Sequence, residues 1–162
     1  MYTIGIDLGG TNIVASVVDD EYKIIGTSKT PTNAPRSADE IFDDIAEVCE
    51  EAVKAANLTM ADIDSVGMGT PGTVNQDGII EFANNLAFNN VPARTMLAKR
   101  LNKPEEKIYI ENDANCAALG EAYAGVGNGA KDFVAVTLGT GVGSGVIIDG
   151  KIVNGVNYAG GE

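Results

Sequence analysis

The chain opens on a period of two. Tyr2-Thr3-Ile4-Gly5-Ile6 and the runs that follow it alternate apolar with small or polar residues, broken by Gly and Asp/Glu turns, so residues 2–29 read as three short antiparallel strands. The period then lengthens to that of a helix. Ser37 stands three residues before Glu40, the spacing of a capping box, and Ile41, Ile45, Val48, Cys49, Ala52, Val53 and Ala56 recur on one face. Ser65-Val66-Gly67-Met68-Gly69 is a short buried strand that breaks at Thr70-Pro71-Gly72. Thr73-Val74 and Ile79-Ile80, around Asp77-Gly78, then form a small hairpin. Residues 93–101 predict a short helix and residues 107–111 a strand. Asn112 or Asp113 caps a helix rich in small residues over 114–124, which stops at Gly125. Three strands, helix, strand, helix, strand, helix is the order of an α/β protein with a mixed sheet flanked by helices.

The opening pattern returns late in the chain. Residues 6–19 lie over residues 136–149 without a gap, at a constant offset of 130 positions that sets Asp7 on Thr137. Both copies carry a β run, a Leu-Gly turn, a second β run and an acidic turn, and both continue to a Lys-Ile pair, Lys23-Ile24 and Lys151-Ile152. Chance agreement between two glycine-rich hairpins is the alternative. The gapless register favours duplication, with one domain over 1–130 and the opening of a second, related and truncated domain over 131–162.

Composition narrows the chemistry by exclusion. The 11 Lys+Arg against 23 Asp+Glu give a net charge of -12, which repels a phosphate backbone or an anionic membrane surface. Neither nucleic acid nor a membrane is an expected partner. Met1 runs straight into a β-like segment without a basic n-region, and no apolar stretch reaches the ~20 residues that span a bilayer. Cys49 and Cys116 fall on predicted helices without metal-site spacing, so both read as small buried residues, and a cytoplasmic location fits. The chain has no histidine, which removes Ser-His-Asp, Cys-His and His-ligated metal chemistry. A proton acceptor here must be a carboxylate.

Asp7-Leu8-Gly9-Gly10-Thr11-Asn12 puts glycines that admit positive φ, their backbone N–H groups and a Thr hydroxyl at a hairpin turn. Such a turn can cradle phosphate, and Asp7 on the preceding strand could hold a hydrated Mg²⁺; an ordinary tight hairpin would need the glycines but not the Asp. Leu138-Gly139-Thr140-Gly141-Val142-Gly143-Ser144-Gly145 leads into Val146-Ile147-Ile148, a strand, and so is not a dinucleotide loop opening a helix. It reads as a second phosphate hairpin paired with the first. Glu111-Asn112-Asp113-Ala114-Asn115 lies where a strand hands over to a helix. One of its carboxylates could deprotonate a hydroxyl, and Asn or Asp there could equally be just the helix cap. Thr70-Pro71-Gly72 and Ala83-Asn84-Asn85-Leu86 offer amides and close-approach backbone, each alone no more than a turn.

Taken in order, these segments resemble the ROK family (repressors, open reading frames, kinases), within the larger group that shares the ribonuclease H-like, actin-like ATPase fold. The resemblance covers essentially the whole chain. It implies ATP-dependent phosphorylation of a hexose hydroxyl, with ATP and Mg²⁺ as cofactors and a homodimer for the full-length protein. Gly9, Gly10, Thr11 and Asn12, with Asp7, correspond to the family's first phosphate motif, and Gly139, Thr140 and Gly141 to its second. Asp113 corresponds to the catalytic aspartate, and Gly72, Asn85, Asn112, Asp113 and Glu162 to its sugar contacts. Phe88 stands where bacterial glucokinases of the family often have Trp, which leaves the hexose open. The family's histidine and cysteine-rich zinc segment are absent from these residues, so any structural zinc belongs to sequence beyond Glu162. A non-catalytic sugar-binding regulator is the alternative, and the absence of a winged helix ahead of the first phosphate motif favours the kinase branch.

Overall fold

The alternating residues at the start become β1 (Tyr2–Leu8), β2 (Asn12–Val18) and β3 (Ile24–Pro31), joined as successive antiparallel pairs. A computed structural model describes residues 1–138 and 142–161. Along β1 and β2 the alternation sorts Ile4, Ile6, Leu8, Ile13, Ala15 and Val17 onto one face, all buried. That face meets α1 (Ala38–Ala55), which presents Ile41, Phe42, Ile45, Cys49 and Val53. The capping box forms as expected: Ser37 Oγ accepts from the Glu40 N–H at 3.3 Å, and Glu40 Oε2 accepts from the Ser37 N–H at 3.1 Å. The hydrogen bond from the Ser37 side chain holds the Glu40 carboxyl below its ordinary value. Ser37→Ala should therefore lower Tm by about 2–4 °C, a cap's usual contribution in a domain of this size; an unchanged melting curve would show that packing alone sets the helix start.

From α1 the chain crosses to β4 (Ile63–Thr70), parallel to β1, and α2 (Ala93–Leu101) and β8 (Ile108–Asn112) follow. The result is a five-stranded sheet in the order β3-β2-β1-β4-β8, the mixed sheet that the element order predicts. Between β4 and α2 lies a small second sheet of β5 (Thr73–Val74), β6 (Ile80–Ala83) and β7 (Phe88–Val91). Its third strand was not expected. Phe88 is buried there and its ring lies 6.3 Å from that of Phe42, so a core contact holds down a strand whose own Asn89-Asn90 gives no β signal. Arg100 on α2 reaches back to α1, pairing with Asp43 at 2.7 Å and Asp39 at 2.8 Å.

After β8 come α3 (Asp113–Ala124), β9 (Phe133–Leu138), β10 (Val142–Ile148) and the short β11 (Lys151–Ile152), the three strands forming a separate sheet. By packing, the chain divides into Met1–Glu111 and Asn112–Glu162, because α3 lies on the β9–β10 hairpin. That division falls at 111/112, whereas the boundary drawn from the sequence overlay falls at 130/131. The repeat also closes differently in space: Leu8 pairs with Ile13, whereas Leu138 pairs with Val142, one residue earlier than the gapless overlay requires. Cys49 is buried, and burial pushes its thiol up to about 12, which makes it inert. Cys116 is only half-buried, unlike the expectation, because it sits at the margin of α3's covered face. Among the described residues no helix is long and apolar enough to cross a membrane.

Candidate active site

In the first unit the site-bearing segments gather where the parallel strands β1 and β4 end. Asp7 is exposed, because the residues on either side of it, Ile6 and Leu8, take the core face. The turn that follows is held from two sides. Thr32, fully buried, donates its hydroxyl to the Gly9 carbonyl at 2.6 Å and its N–H to the Thr11 carbonyl at 2.8 Å. Asn85 packs on the other side, where a Cβ added to Gly10 would stand 3.3 Å from the Asn85 Cβ. The expected freedom for positive φ is not used at Gly9 or Gly10; at Gly10 a Cβ would instead be a tight fit against Asn85.

Gly72 does need its freedom. At the end of β4 it has φ +89°, and a Cβ would overlap the Phe82 carbonyl oxygen and lie 2.9 Å from Ala83 Cα. Gly72 thus abuts β6 just before the 3-10 turn Asn84–Leu86, which carries the exposed Asn85. Gly10, Gly72 and Asn85 are brought into one neighbourhood from three separate stretches of sequence.

The second unit settles which residue caps α3. Asn112 Oδ1 accepts from the Ala114 N–H at 2.9 Å and the Asn115 N–H at 3.1 Å, so Asn112 is the cap, and it is buried. Asp113 takes the first helical position with its side chain exposed, and its Oδ1 lies 2.8 Å from the Ala114 N–H. Gly139, Thr140, Gly141 and Glu162 lie outside the described residues. Just before Glu162, the Gly161 carbonyl accepts from the Ser144 N–H at 3.1 Å and from Ser144 Oγ at 2.5 Å. Thr32 was missed in the sequence, and Ser144 was quoted only as part of the second glycine-rich run, since a hydroxyl bonded to a backbone carbonyl leaves no periodic trace.

The family model named ROK matches residues 3–162. The chain belongs to the ROK family. It is 34% identical over 160 residues to a glucokinase of Halalkalibacterium halodurans, covering 98% of this chain and 48% of that protein. A ROK glucokinase of Streptomyces griseus, solved with glucose and AMPPNP, superposes on it with a TM-score of 0.89 at 37% identity, over 100% of this chain and 49% of that one. A xylose repressor of Caldicellulosiruptor bescii is 34% identical over 98% of the chain and 39% of its own length. The chain thus spans about half the length of the curated glucokinase it matches. Its mixed five-stranded sheet with flanking helices is the actin-like ATPase fold of the ROK glucokinase.

Proposed function

We propose that this chain carries the sugar-side and phosphate-side elements of an ATP-dependent sugar kinase that phosphorylates a hexose hydroxyl. The observation that supports this most is at α3: Asn112 takes the cap and leaves Asp113 exposed beside it, a carboxylate at a helix N-terminus with no histidine in the chain to compete for the role. In this reading the sugar hydroxyl gives its proton to Asp113, its oxygen bonds the γ-phosphorus, and the bond from that phosphorus to the ADP oxygen breaks. Gly72, Asn85, Asn112 and Glu162 orient the sugar. Gly9, Gly10, Thr11 and Asn12 supply backbone N–H groups to the phosphates, and Gly139, Thr140 and Gly141 keep the phosphate role that the resemblance implies.

Asp7 fits a magnesium site of the water-rich kind. It offers one exposed carboxylate beside the first turn, and among the described residues no group of three or more acidic or cysteine side chains is gathered to strip the ion of water. Mg²⁺ bound there would neutralise phosphate charge. The whole reading is tested by a panel of hexoses and N-acyl-hexosamines with ATP on the full-length protein. ADP release that depends on one class of sugar is the expected result. The similarity to a xylose repressor favours a second reading, a sugar-binding regulator, which sugar binding without any ADP release would establish.

The contact between Gly10 and Asn85 sharpens the expectation for the first turn. Gly10→Val should raise the KM for ATP several-fold and the KM for sugar with it, because the added methyl groups press on Asn85, while the melting temperature stays near that of the parent. Normal values of both constants would make the turn a purely structural hairpin.

A further inference from the structure

We infer that Gly145 is a positioning residue for the reaction, the point at which β10 sets the height of α3 and therefore the place of Asp113; this rests on the proposed role of Asp113 as base. In the second unit the covered face of the hairpin pairs Thr137 with Gly143, Ala135 with Gly145 and Phe133 with Ile147. Against it α3 lays Ala114, Asn115 and Ala118, all buried. The approach is closest at Gly145. A Cβ there would overlap the Ala118 Cβ, lie 2.8 Å from the Ala114 carbonyl oxygen and 3.2 Å from the Asn115 Cα. Two of these three neighbours are backbone atoms, so no rotamer change relieves the overlap, and the helix itself must move.

The direction of that movement is what ties Gly145 to chemistry. Ala114 and Asn115 are the two residues after Asp113, and their N–H groups are the ones that Asn112 caps. A push on them displaces the first turn of α3, where the carboxylate stands, and the overlap with Ala118 lies one turn further along the same helix. The strand that pushes is itself fixed: Ser144, the preceding residue, holds Gly161 through two hydrogen bonds, and a Cβ added to Gly143 would stand 2.9 Å from Thr137 Oγ1 and 3.1 Å from the Ala114 Cβ. The glycines of the second motif past Val142 thus serve helix docking. Displacement of a reacting group by about 1 Å can cost up to ~10²-fold in rate, so a rigid mount next to the base has a large lever on kcat.

The test is a mutant cycle in the full-length protein. Gly145→Ala should lower kcat by about tenfold or more with both KM values within about twofold, and Ala118→Gly, which by itself leaves kcat near that of the parent, should restore only part of that loss, because the overlap with the Ala114 carbonyl oxygen remains. In an Asp113→Asn background, Gly145→Ala should add nothing further. If Gly145→Ala alone does not fold, the Gly145→Ala/Ala118→Gly pair carries the test: a folded pair with kcat below that of the parent and KM values unchanged supports the inference, and a folded pair with parent-like kcat overturns it. Equal losses from Gly145→Ala in the parent and in the Asp113→Asn background overturn it as well, since the effect then bypasses the base. Parent-like turnover by Asp113→Asn by itself would instead defeat the reading of Asp113, and the two failures are therefore distinguishable.

Discussion

Asp113→Asn in the full-length protein is expected to lower kcat by at least ~10²-fold while sugar affinity changes by no more than a modest factor. The substitution keeps the size of the side chain and an Oδ1 that can still accept from the Ala114 N–H, and it leaves the Asn112 cap on α3 untouched. What it removes is the ability to take a proton. Since the chain has no histidine, no imidazole in these residues can substitute. Sugar binding measured by calorimetry, set beside steady-state ADP release, separates the two effects. Near-normal turnover would rule out the base role, and lost binding with an intact rate per bound sugar would reduce Asp113 to a ligand contact.

Local chemistry with a strong signature was legible in the sequence. The Ser37 and Glu40 spacing located the start of α1, and residues 93–101 coincide with α2. The three opening strands, β4, β8 and α3 follow from period and caps. At Asn112 and Asp113 the sequence stalled, because both residue types cap helices and only the direction of a side chain decides between them. β7 escaped notice because Phe88 is fixed by the ring of Phe42, a contact between residues 46 positions apart that no local pattern announces. The glycines were found but some were misjudged. Gly9 and Gly10 admit positive φ without using it, while Gly72 has it; a Cβ on Gly10 would be tight against Asn85, and Gly145 is demanded by what lies against it. Close approach of backbones is a tertiary fact, invisible to any reading of neighbours in sequence.

The 162-residue chain by itself is expected to show no sugar-dependent ADP release, at least ~10²-fold below a chain extended to the length of its relatives. The reason lies in the uncovered face of the β9–β10 hairpin. Val134 and Val136 are each 60% exposed, Leu138 82% and Val142 74%, and Ile148 adds a further 53% at the far end of β10. On the repeat overlay Val134, Val136 and Leu138 correspond to Ile4, Ile6 and Leu8, which α1 and its surroundings bury completely or nearly so. We therefore propose that residues 131–162 open a second unit whose own helix belongs on this face. At ~25 cal/mol per Å² of apolar surface, leaving five such side chains wet forgoes several kcal/mol, a large part of a small domain's net stability. A hairpin held on one face by α3 alone should exchange its β9 amides readily and bind an apolar dye, and in the longer chain both signals should fall as turnover appears. The decisive comparison sets ADP production by the short and the extended chains side by side over the same sugars. Similar rates would mean that the exposed face needs no cover for catalysis, and the duplication argument would be wrong.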